Sequence, residues 1–86
     1  MKLKKGFVLR EVAGQTVVVS VSTELNIHAM LALNDTAKTL WLALEQENDI
    51  DGLTKALLAE YKIDEEKARA DAMKFVDKLK GLNFLE

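Results

Sequence analysis

Residues 26–34 read Asn26-Ile27-His28-Ala29-Met30-Leu31-Ala32-Leu33-Asn34 and run directly into Asp35-Thr36-Ala37. In an extended chain Ile27, Ala29, Leu31 and Leu33 share one face, with His28, Met30 and Ala32 on the other. Asn34 marks the end of that run, because its side-chain oxygen suits an N-cap that accepts from the N–H of Thr36 or Ala37 at the head of a helical pattern. A strand that hands over to a helix in one residue specifies an α+β domain. The stretch also carries no Lys, Arg, Asp, Glu or Pro. Those are the residues with which edge strands are usually protected, so an edge here stays open to pairing with another chain.

Upstream of this junction the pattern has period two. Phe7 to Val12 and Thr16 to Val21 are rich in β-branched residues and are separated by Ala13-Gly14-Gln15, a hairpin-type connection. Val17, Val19 and Val21 alternate with Thr16, Val18 and Ser20, which predicts a strand with one buried and one mostly wet face. Downstream the period is helical. Ala37, Leu40, Trp41 and Leu44 form one apolar stripe with Trp41 as its largest anchor, and Leu53, Leu57 and Tyr61 form a second. A third helix opens at Asp64-Glu65-Glu66, buries Ala68, Ala72, Phe75 and Leu79, and carries Lys78 and Lys80 in its last turn before Gly81. The tail Leu82, Phe84 and Leu85 is expected to fold back onto the body. The expected fold is α+β and resembles a winged helix-turn-helix: a three-stranded antiparallel sheet within residues 7–33, then helices near 35–46, 51–61 and 64–80.

Residues 1–86 make a single domain, 49% hydrophobic, close to the smallest size that buries a core without staples. With no Cys there is neither a disulfide nor a thiolate metal site, and the expected compartment is the reducing cytoplasm. The apolar run of the lysine-containing N-terminus is broken at Arg10 and Glu11, too early for a signal peptide, and no stretch approaches the length of a membrane span. His28 is the sole histidine and has no partner at catalytic or metal-ligand spacing. Gly6, Gly14, Gly52 and Gly81 are isolated, so no phosphate loop or nucleophile elbow exists. The reading is a non-enzyme without cofactor or metal. A winged-helix shape raises nucleic-acid binding as an alternative, but the net charge of −2 and sequence pI near 5.4 oppose phosphate recognition.

Leu33-Asn34-Asp35-Thr36-Ala37, followed by Leu40-Trp41-Leu42-Ala43-Leu44, resembles the strand-to-helix junction Leu-Asn-x-[Thr/Ser]-[Ala/Gly] and Trp-containing helix of the PqqD family. These are the pyrroloquinoline quinone biosynthesis protein D-like domains, also known as RiPP recognition elements. Gly52 to Tyr61 is similar to the family's second helix, Ala70 to Leu79 to its third, and Gly81 to Glu86 to its end, so nearly the whole chain is covered. The resemblance implies a peptide chaperone. Such a domain binds the leader segment of a ribosomally made precursor peptide as an added strand beside the third strand, in the groove against the third helix. It presents the precursor to a modifying enzyme, often a radical S-adenosylmethionine protein.

Residue by residue, the expected strand side of such a site is Ile27, His28, Ala29, Met30 and Leu31. On the third helix, Arg69, Met73, Val76 and Lys80 share a flank beside the core residue Ala72, with apolar groups in the middle and cations at the ends. That flank is the expected wall of the groove. Lys67, Asp71, Lys74 and Lys78 make the opposite flank, entirely charged and expected to face solvent. An open strand edge is also self-complementary, which keeps a homodimer among the expected partners.

Overall fold

The β1–β2 hairpin shows how local chemistry sets the sheet. In the computed structural model, which describes residues 1–20 and 31–86, strand β1 spans Phe7–Val12 and β2 spans Gln15–Ser20. Val12 pairs with Gln15, so only Ala13 and Gly14 form the loop. Their φ angles are +53° and +79°, the two positive values of a type I′ turn, whose twist matches that of the flanking strands. Gly14 adopts this conformation without penalty, whereas Ala13 carries a Cβ into the left-handed region. Ala13→Asn is therefore expected to stabilise the domain by about 0.5–1 kcal/mol, visible as a melting temperature raised by roughly 2–8 °C.

The turn also decides which side of β2 meets the core. Leu9, Val18 and Leu31 of the third strand lie directly opposite one another, and Glu11, Thr16 and Leu33 form the next row on that face. The core-facing row therefore contains Val18 rather than the Val17/Val19 set. Val17 pairs with Arg10 and Ala32 on the other face and is buried there too, at 6% exposure. The alternation between a buried and a wet face thus fails at these two valines. Strand β3, Leu31–Leu33, pairs antiparallel with β2, giving the order β1-β2-β3. Leu31 is half-buried, Ala32 exposed and Leu33 buried, as the alternation predicts. Ile27, His28, Ala29 and Met30 lie outside the described residues.

Helices α1 (Asp35–Leu44), α2 (Ile50–Glu60) and α3 (Glu65–Gly81) follow, and Val18 and Leu33 of the sheet share one core with them. Each begins at a side-chain cap: Asn34 accepts from the Ala37 N–H at 2.8 Å, Asp49 from Gly52 at 2.8 Å, and Asp64 from Lys67 at 2.7 Å. Buried Leu40, Trp41 and Leu44 of α1 pack with Leu53 and Leu57 of α2 and with the stripe Ala68, Ala72, Phe75, Val76 and Leu79 of α3. The expected stripe of α3 is present, widened by Val76.

Gly81 is not the left-handed terminator of α3. It stays helical, and Asn83 takes that role at φ +62°. The Phe84 N–H donates to the Leu79 carbonyl at 3.0 Å and the Asn83 N–H to that of Lys80 at 3.1 Å, the paired bonds of a Schellman end. The motif turns Phe84 into the core, where its ring lies 4.4 Å from Phe7 and 6.3 Å from Trp41. Leu3 bridges Leu85, so the two terminal segments pair beside this aromatic cluster. Of the tail, Leu82 remains exposed.

Candidate functional site

Strand β3 has β2 on one side, and its other side ends the sheet among the described residues. The Asn34 cap locks the end of that edge to the start of α1: its side-chain oxygen accepts from the Ala37 N–H and from the Thr36 hydroxyl at 3.0 Å. Beside the edge opens a cleft of about 510 Å³, within the range of ligand-holding pockets. Its β3 side is Ala32 and Leu33. Ala37 and Leu40 of α1, Tyr61 at the end of α2, Ile63 of the α2–α3 connection and Phe75 of α3 supply apolar surface. Tyr61 is held by its hydroxyl, 3.2 Å from that of Thr39. The far wall is Lys67, Asp71, Lys74 and Lys78.

This is the flank of α3 that the sequence reading assigned to solvent. Among the described residues, none of Arg69, Ala72, Met73, Val76 and Lys80 lines the cleft. Ala72 and Val76 are core residues at 0% and 3% exposure. Met73 is 51% exposed, and Lys80 is also exposed. Arg69 is already engaged, with Asp51 at 2.7 Å and Glu65 at 3.9 Å, joining α3 to the start of α2. Leu31 is at the edge strand itself. Of the two apolar residues in the middle of that flank, Val76 is taken up by the core and Met73 is exposed outside the cleft. The apolar surface of the cleft comes instead from β3, α1, Tyr61, Ile63 and, on α3 itself, Phe75.

Two charges on the cleft wall satisfy each other: Lys67 Nζ lies 3.4 Å from an Asp71 carboxylate oxygen one turn on. Lys74 and Lys78 are exposed, and among the described residues no carboxylate pairs with either. The described residues hold no cluster of His, Cys, Asp or Glu able to bind a metal ion, and no helix long and apolar enough to cross a membrane.

The family model of coenzyme PQQ synthesis protein D (PqqD) matches residues 15–85. The chain belongs to the PqqD family. The matched region begins in the hairpin and takes in β3, all three helices and the whole wall of the cleft, so the PqqD-like unit includes every element that shapes the site. No curated protein matches the chain in sequence. Among solved structures, TbiB1 in complex with the TbiA(beta) leader peptide superposes with a TM-score of 0.77 at 22% identity, covering 100% of this chain and 95% of that one. Lasso peptide synthetase B1 complexed with the leader peptide gives a TM-score of 0.71 at 20% identity, covering 93% and 89%. At these identities the likeness to both establishes a shared PqqD-like fold.

Proposed function

We propose that this PqqD-family domain recognises the leader segment of a ribosomally made precursor peptide and presents the precursor to a modifying enzyme, a radical S-adenosylmethionine protein or another peptide-modifying enzyme. The observation that carries the reading is the side of β3 that no described strand covers, beside a cleft with apolar surface bounded by α3. A peptide added along Leu31–Leu33 gains main-chain bonds from the strand, and its alternate side chains enter the cleft. The two solved relatives were each captured with a leader peptide, which supports the same use of the fold here. The domain acts by binding and brings no catalytic group of its own. The α3 side of the site is the Lys67, Lys74 and Lys78 flank together with Phe75, in place of Arg69, Met73, Val76 and Lys80.

The test is an amide NMR titration with synthetic peptides covering the N-terminal segments of whatever short open reading frames neighbour this gene. Shift changes are expected to concentrate in residues 31–37, 61–67 and 71–78, with intermolecular backbone contacts to β3. Changes centred on Arg69, Met73 and Lys80 would return the site to the other flank. A spectrum that does not respond would overturn the peptide-binding reading.

A further inference from the structure

The charge of the cleft wall selects the peptide. We infer that the segment bound in the cleft carries an acidic side chain next to an apolar one on its inward face, the carboxylate lying between Lys74 and Lys78. The inference rests on the peptide-binding reading and goes further by stating the chemistry of the ligand. Three cations and one anion face the cleft, and the anion, Asp71, is taken up by Lys67. Lys74 and Lys78 remain without a described carboxylate partner, on a chain whose net charge is −2. A local positive wall on an acidic protein repels few acidic peptides at contact range and disfavours basic ones, so it confers selectivity beyond simple attraction.

Spacing fits as well. Successive turns of a helix place Lys74 and Lys78 about 6 Å apart along its axis, and inward-facing residues of a strand recur about every 6.8 Å. Consecutive inward positions of an added strand can therefore set an apolar side chain on Ile63, Leu40 and Phe75 and the next, acidic one against the two ammonium groups. Exposed pairs of this kind are individually weak, so each lysine is expected to change affinity by roughly 1.4- to 5-fold. The bound strand and apolar contacts hold the peptide, and the lysines choose among peptides.

The experiment selects from a displayed library of random 12-residue peptides, first on the wild-type protein and in parallel on K74E/K78E, with K74Q/K78Q as a second variant. The folds of all three proteins are checked by circular dichroism, which substitutions at these exposed helical sites should leave unchanged. Wild-type selections are expected to enrich Asp or Glu two residues from an aliphatic or aromatic residue. K74E/K78E should lose those peptides by about tenfold or more in affinity and enrich Lys or Arg at the same place, while K74Q/K78Q binds with a weaker salt dependence. Peptides that shift the β3 and α3 amides but show no acidic enrichment, or bind all three proteins alike, would overturn the charge inference and leave peptide binding standing. If no peptide is enriched, or the enriched ones leave the cleft amides unmoved, both readings fall.

Discussion

Trp41→Ala is expected to leave the domain mostly unfolded at 37 °C. Trp41 is 2% exposed and packs edge-on against Phe7, with ring centroids 5.6 Å apart, and against Phe84. Removing a buried indole costs about 3–5 kcal/mol, the lost transfer energy plus the cavity left behind. A domain of 86 residues has a total stability of roughly 4–13 kcal/mol, so the loss takes a large part of it. The effect is amplified by position. Trp41 joins β1, α1 and the C-terminal segment, and its removal strips Phe7 and Phe84 of a partner at the same time. Urea unfolding followed by far-ultraviolet circular dichroism gives the answer: the midpoint should collapse for Trp41→Ala and fall less for Trp41→Phe. A Trp41→Ala protein with wild-type stability but impaired peptide binding would move Trp41 from the core to the site.

The second large effect is expected at Val76, and its meaning depends on which flank of α3 is buried. Val76 is 3% exposed within the core, so Val76→Asp places a carboxylate among buried apolar side chains. Ionised or forced to stay protonated, that group costs several kcal/mol, enough to unfold a domain of this size. Met73, one turn earlier on the same flank, is 51% exposed. Met73→Asp is expected to change stability by no more than about 0.5 kcal/mol and to bind a leader peptide as the wild type does. The pair separates the two possible walls of the groove: a folded Met73→Asp protein that has lost its peptide would place the site on the Arg69 flank, and a folded Val76→Asp protein would remove Val76 from the core.

Near-neighbour chemistry made much of this fold legible. The Asn34 cap, the Trp41 stripe and the Ala68, Ala72, Phe75, Leu79 stripe each depend on residues within a few turns of one another, and each is found where the spacing puts it. The end of α3 was less legible. Gly81 satisfies the usual preference for a terminator, yet the chain continues two residues to Asn83 because that register turns Phe84 onto Phe7 and Trp41, a contact between distant parts of the chain.

By itself the sequence determined the order of elements, the α+β class, the helix starts at Asn34 and Asp64, and an uncharged strand ahead of α1. All of these follow from period and capping, which are local. Only the tertiary structure decided which side of β2 faces the helices, because a turn of two residues rather than three reverses every side chain of the strand. It alone decided which flank of α3 borders β3. A helical wheel shows two flanks of equal standing beside the core stripe, and choosing between them requires the packing that brings β3, α1 and the connection at Ile63 to one side of α3. That choice turns Lys74 and Lys78 from surface charges into the wall of a cleft.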